Sequence, residues 1–311
     1  MKQQNKNIVL LIVLAVLVAA CFWSMQFNPY QRSSSQRDIA IFSVENAVEN
    51  LSKVVFIGAK FENKLVRTNK GWTVNDSLSL DPAMQQVLVA LLEKVEVQRV
   101  IEGSKATEIL QQLADTGVQV KLYANEQLIN EFTVGGNPKQ VSTYFGKEGK
   151  AYLMQLPGYE SYVAGMFEVK TLDWKNRSVF NGTWQDVVSL SLQYANGDSL
   201  YFQYEKGLVK LQNRTNADSV KVMDYIETYN YFYVDQYLPA THEAVRKVKG
   251  FDVAGSITIK ALDTQKDLKM EFFTHPEFNA VLVRINGKDW AGIQKNRFTK
   301  YFPEVSHFLK D

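Results

Sequence analysis

Three histidines and one cysteine set narrow limits on the chemistry this 311-residue chain can perform. His242-Glu243 opens like a His-Glu-x-x-His zinc helix, but Arg246 stands where the second histidine belongs, and one imidazole cannot hold that metal. His275, before Pro276, and His307, near the C-terminus, read as loop or surface histidines. A nucleophilic serine needs a base held against it, and the chain has neither a Gly-x-Ser-x-Gly elbow nor a Ser-x-x-Lys run. Gly135-Gly136-Asn137-Pro138 lacks the spacing and the hydroxyl of a phosphate loop and reads as a turn. No catalytic, metal-ligating or cofactor-binding residue is assigned, and no cofactor is expected. Pairs of Asp and Glu, which sequence cannot place in space, keep a hydrolase reading open.

Aromatic residues offer a second kind of chemistry, since tyrosines present flat apolar faces with a polar tip to glycans or partners. Tyr225, Tyr229, Tyr231, Phe232, Tyr233 and Tyr237 cluster in one stretch. Tyr225, Tyr229 and Phe232 share a helical face with Val222 and Ile226, which assigns them to a core. Tyr231, Tyr233 and Tyr237 are left as the candidate partner surface.

Lys and Arg number 35 against 33 Asp and Glu, a net charge of +2 that argues against nucleic acid as a partner. Hydrophobic residues at 46% suffice to bury a core, so the chain is globular. A single cysteine excludes an intrachain disulfide and a Cys-rich zinc module.

The chain opens with Lys2 and Lys6, then thirteen apolar residues from Ile8 to Ala20. Extended to Met25, this run makes a helix of about 27 Å, close to a bilayer core, and the two lysines keep its start in the cytoplasm. Residues 1–37 are therefore expected to be a transmembrane or signal-anchor helix with a polar linker, Arg32-Ser33-Ser34-Ser35-Gln36-Arg37, placing the bulk in the periplasm. Leu17-Val18-Ala19-Ala20-Cys21 also resembles the pattern before a lipid-modified cysteine, so lipidation at Cys21 stands as the alternative to an uncleaved helix flanked by Phe22 and Trp23.

Beyond residue 38, short β-like runs alternate with amphipathic helices, which predicts an α+β fold. Val54–Ile57, Lys64–Thr68 and Trp72–Val74 read as strands. Asp81-Pro82 opens a helix with Met84, Val87, Leu88, Leu91, Leu92 and Val95 on one face. A second helix from Ser104 precedes strands at Val118–Tyr123 and Leu128–Val134. The order recurs: a hairpin about Asn196-Gly197, a strand at Leu208–Leu211, a helix over Ala217–Val234, a short helix from Thr241, and strands at Ile257–Leu262 and Leu268–Phe273. Lys70-Gly71 matches Lys206-Gly207 at an offset of 136, Asp81 matches Asp218 and Ser104 matches Thr241 at 137, and Gly117 matches Gly255 at 138. Ala151–Gly158 pairs with Ala280–Gly287 at 129, and Ala164-Gly165-Met166 with Ala291-Gly292-Ile293 at 127. The expectation is two tandem repeats, 38–178 and 179–311, each a twisted, mainly antiparallel sheet with helices packed on one side.

Leu65-Val66-Arg67-Thr68-Asn69-Lys70-Gly71-Trp72-Thr73-Val74-Asn75, then Leu91-Leu92-Glu93-Lys94-Val95-Glu96-Val97 and Val118-Gln119-Val120-Lys121-Leu122-Tyr123, occur in order with Pro157-Gly158-Tyr159-Glu160-Ser161-Tyr162 and Asp173-Trp174-Lys175-Asn176-Arg177-Ser178-Val179-Phe180. Together they resemble the domain of unknown function 4340 family in its Bacteroidota form, over roughly residues 38 to 210. Where members often carry Gly-Leu-x-x-Pro before the strand at Val118, this chain has Ala114-Asp115-Thr116-Gly117. The resemblance implies a single-anchor envelope protein with no assigned activity and no catalytic residues to carry over. It also implies an accessory role at the cytoplasmic membrane beside permease or auxiliary subunits of a gliding-type ABC transporter. In that setting Asp76-Ser77-Leu78, Asp198-Ser199-Leu200 and Asp218-Ser219-Val220 resemble O-glycosylation acceptors at Ser77, Ser199 and Ser219. Two readings follow: a non-enzymatic interaction protein, or an envelope ligand- or glycan-binding protein with a hydrolase activity.

Overall fold

A computed structural model of the chain describes residues 41–158, 162–180, 182–205 and 208–310. The apolar run from Ile8, Cys21 and the polar linker lie outside the described residues, as do Lys206 and Gly207. Among the described residues no helix is long and apolar enough to cross a membrane.

The fold is α+β, with two antiparallel sheets and few helices. After the short helix α1 (Ala47–Asn50), strands β1 (Lys53–Gly58), β2 (Phe61–Thr68), β3 (Gly71–Val74) and β4 (Leu78–Ser79) run as a meander. Helix α2 (Pro82–Lys94), β5 (Glu96–Ile101) and α3 (Gly103–Thr116) follow, then β6 (Val118–Ala124), β7 (Gln127–Gly136), β8 (Thr143–Lys147) and β9 (Lys150–Gln155). The second sheet comprises β10 (Val187–Tyr194), β11 (Ser199–Glu205), β12 (Leu208–Leu211), β13 (Gln236–Leu238), β14 (Gly255–Ala261), β15 (Leu268–Phe273), β16 (Ala280–Ile285) and β17 (Asp289–Gln294). Helices α4 (Ser219–Glu227) and α5 (Glu243–Val248) flank β13, and α6 (Lys295–Tyr301) follows β17. The first sheet is ordered β4-β3-β2-β1-β6-β7-β8-β9-β5 and the second β12-β11-β10-β14-β15-β16-β17-β13. Without β4, the two orders correspond strand for strand.

Local chemistry explains the shared register. Asp81 accepts from the amides of Ala83 and Met84, and Asp218, 137 residues on, accepts from those of Val220 and Lys221. Each carboxylate satisfies amides that the first helical turn leaves free. Glu148-Gly149 joins β8 to β9 with φ of 50° and 73°, and Asn286-Gly287 begins the turn from β16 to β17 with φ of 50° and 68°. This left-handed geometry suits glycine at the second position, and the two turns lie 138 residues apart.

The turns correct the later part of the sequence alignment. The counterpart of β9 is β17, not β16, so matching Ala151–Gly158 to Ala280–Gly287 slips by one strand. Ala164-Gly165-Met166 forms a 3-10 turn (Val163–Met166) and has no kinship with Ala291–Ile293 inside β17. Buried strands share period-2 apolar alternation, so an aliphatic run does not say which strand it is.

The helices do not share one side of each sheet, as the sequence led us to expect. On β9, Tyr152 and Met154 join the cluster packed on Leu88 and Leu92 of α2, whereas Ala151 joins Ile109 and Leu113 of α3. Successive strand residues face opposite ways, so α2 and α3 cover opposite faces. The second half repeats this: Phe272 packs with Val222 and Tyr225 of α4, and Phe273 with Val245 and Val248 of α5. The long helix expected over Ala217–Val234 is shorter, α4 giving way to a 3-10 turn at Thr228–Tyr231. Strand β5 escapes the periodicity test because it is an edge strand whose alternation is broken at Val97/Arg99.

Between the sheets, residues 170–180 form a strap tied to both. Asn176 donates its amide to Ser79 O (2.8 Å), and Asp81 donates its own to Trp174 O (2.9 Å). On the other side, Val179 donates to Phe232 O (2.9 Å) and Val234 to Arg177 O (3.0 Å). Lys175 Nζ also meets Asp289 Oδ2 at 2.7 Å. The boundary expected after residue 178 therefore falls within a segment bonded to both sheets.

Candidate functional site

Helix α2 buries Leu88, Val89, Leu91 and Leu92. Val87, expected in the core stripe, instead stands 54% exposed, because the adjacent stripe carries more apolar surface inward and turns residue 87 away. With Ala90, Leu91 and Lys94 it forms one wall of a hollow of about 400 Å³. Leu156, Pro157, Tyr162, Val163 and Met166 form the other.

Several local features shape this groove. The Tyr162 ring lies against Gly136, where a Cβ would come within 2.1 Å of Tyr162 Cε2, so only glycine admits the ring. The glycine pair expected to be a turn thus ends β7 and seats this wall. The Tyr162 hydroxyl donates to Glu168 Oε1 at 2.7 Å. Burial, then the bond and charge of Glu168, push the phenol well above its ordinary range, so it stays protonated. Lys94 is exposed in the last turn of α2, and its side chain has no ion pair or hydrogen bond among the described residues. Among the described residues the groove offers apolar walls and one cation at its rim, with no carboxylate in the lining.

The second half provides an internal comparison. Aligned on their capping aspartates, Leu88, Val89 and Leu92 correspond to Tyr225, Ile226 and Tyr229, all buried. Val87 and Ala90 correspond to Asp224 and Glu227, both exposed. The same helix in the same sheet order thus carries a polar outer face in one half and an apolar one in the other. The fold does not require Val87 and Ala90 to be apolar. Sequence reasoning missed the groove by assigning Val87 to the core, although the fixed offset already paired it with Asp224.

A second hollow, of about 540 Å³, lies beside α1, and its central amide, Asn130, is held by Ile41 O and Lys147. The remaining sequence candidates disperse. Tyr237 is buried and leaves the proposed partner surface: its hydroxyl donates to Asn176 O (3.1 Å) and Lys175 Nζ lies 4.1 Å from its ring centre. Burial first, then the charge of Asp289, pushes its phenol up to about 12. Tyr233 is 41% exposed, and the side chain of Tyr231 lies outside the described residues. Ser77 is exposed in the turn before β4, Ser199 at the start of β11 and Ser219 in the first turn of α4. His242 caps α5 by accepting from Ala244, the His275 ring packs between Phe251 and Phe278, and the His307 ring stands edge-on to Phe308. Among the described residues no three His, Cys, Asp or Glu side chains converge as a metal site would require.

No protein-family model, no curated protein and no solved structure matches this chain.

Proposed function

We propose that this chain is a non-enzymatic binding protein of the cell envelope, tethered to the cytoplasmic membrane through its N-terminal apolar run, with the α2 groove as its working surface. One observation carries the reading: α2 turns Val87 and Ala90 outward where α4 carries Asp224 and Glu227. An apolar concavity exposed to water is costly to solubility and is retained where something covers it. The tether rests on Ile8–Ala20 and the lysines before it, and the lipoprotein alternative at Cys21 gives the same placement. An accessory role beside a transporter rests on the resemblance to the domain of unknown function 4340 family. The correspondence of the two strand orders supports a tandem duplication of one α+β unit.

The test replaces the groove face with the residues of its counterpart. The tagged full chain and its Val87→Asp/Ala90→Glu variant are recovered from solubilised envelope membranes, and the proteins and lipids accompanying each are compared. A component retained by the native chain and lost with the folded variant is expected. Identical proteins and lipids with both would reject the groove as the working surface.

A further inference from the structure

We propose that the α2 groove binds a single fatty-acyl carboxylate, its chain between the two apolar walls and its carboxylate paired with Lys94. This rests on the groove being the working surface and names its ligand.

The first argument is size. A stable protein interface engages about 20–30 residues a side. Nine of the described residues line this groove, which encloses about 400 Å³, toward the lower end of the range for small-molecule sites. Its dimensions suit a slender ligand better than a protein surface. From Val87 to Lys94 the helix advances about 10 Å, enough to hold roughly the carboxylate-proximal half of a palmitoyl chain laid along it.

The second argument is the distribution of polarity. The Tyr162 hydroxyl is already bonded to Glu168, so its ring adds apolar wall and no free donor. Sugars and nucleotides need several convergent polar groups, which the described residues of this lining do not provide. One cation remains, Lys94 at the rim, without a partner among the described residues. A long apolar body with a negative charge at one end complements that pattern. An exposed ammonium at the rim favours a carboxylate over a neutral or cationic head by charge-assisted hydrogen bonding. Met166 suits alkyl chains of differing shape, because its unbranched thioether adapts to irregular gaps.

The experiment uses the full chain in phosphatidylcholine nanodiscs, photolabelled with diazirine-bearing palmitate and mapped by peptide mass spectrometry. Cross-links are expected within Pro82–Lys94 and in the peptide carrying Tyr162 to Met166. Excess palmitate should compete, whereas hexadecanol and hexadecyltrimethylammonium should compete at least about tenfold less well. Ala90→Glu should reduce the labelling about tenfold or more and Lys94→Glu about fivefold, with the melting temperature recorded for each. If Ala90→Glu proves unstable, Val87→Asp at the exposed rim takes its place. Labels scattered over other surfaces, equal competition by the cationic analogue, or unchanged labelling in the folded variants would each overturn the assignment. Loss of another component with the Val87→Asp/Ala90→Glu variant, without specific palmitate labelling, would leave the groove as working surface and reject only the acyl ligand.

Discussion

Asp81 binds Arg177 of the strap and caps α2 with the same carboxylate. Its Oδ2 accepts from Arg177 Nε at 3.0 Å, while Oδ1 accepts from the amides of Ala83 at 2.9 Å and Met84 at 3.4 Å. Asp218 caps α4 in the same way but forms no ion pair among the described residues. One carboxylate therefore couples the start of a helix to the segment between the sheets.

Asp81→Ala should cost more stability than Asp218→Ala in urea unfolding. Loss of the cap alone costs roughly 1 kcal/mol in either helix. At position 81 the buried side chain also leaves Arg177 unpaired. Equal losses would mean that the strap contact contributes nothing.

The same pair predicts an acid response. Burial raises the Asp81 carboxyl, but the Arg177 hydrogen bond and the amides of Met84 and Ala83 outweigh it and hold the group below the usual carboxylate range. A depressed native pKa contributes stability that is complete above the unfolded value, about 3.9, and is lost as pH falls through the native one. Arg177→Ala should therefore move the acid-unfolding midpoint upward, as followed by circular dichroism.

Leu88→Asp and Val87→Asp differ by one position and should differ sharply in effect. Leu88 is buried among apolar side chains, where an unpaired carboxylate destabilises by about 3 kcal/mol or more. Val87 faces outward, and its substitution should stay within roughly 0.5 kcal/mol. A large loss from Val87→Asp would return that residue to the core.

Alkaline pH should unfold the second half. Tyr225 and Tyr229 are buried with their hydroxyls 2.5 Å apart, and Tyr225 lies 2.8 Å from Tyr301 O. Burial, with their mutual interaction adding for Tyr225, pushes this phenol well above its ordinary value, and burial does the same for Tyr229. A raised native pKa gives stability that is complete below the unfolded value, about 10, and declines above it. Absorbance titration at 295 nm should show phenols ionising only as the protein unfolds. In Tyr225→Phe/Tyr229→Phe that coupling should diminish.

Intact-mass measurement of native material should show added hexose that Ser199→Ala reduces. Ser199 is exposed beside the Asn196-Gly197 turn. An unmodified mass for correctly localised protein would reject this modification.

Much of the architecture follows from local chemistry that sequence carries. Asp81-Pro82 and the stripe Leu88-Leu91-Leu92 specify α2, while Asn196-Gly197 marks the turn between β10 and β11. The capping aspartates fix the 137-residue offset, because their amide bonds are made within one helical turn. Tertiary structure decided what depends on more distant neighbours. It paired β9 with the position of β17, since apolar alternation is common to many strands and only ladder partners distinguish them. It placed α2 and α3 on opposite faces, turned Val87 outward and buried Tyr237 under the strap. Helical spacing says which residues share a face. Whether that face meets protein or water is decided by the elements that arrive against it, and for Val87 the opposite wall comes from residues about 70 positions later in the chain.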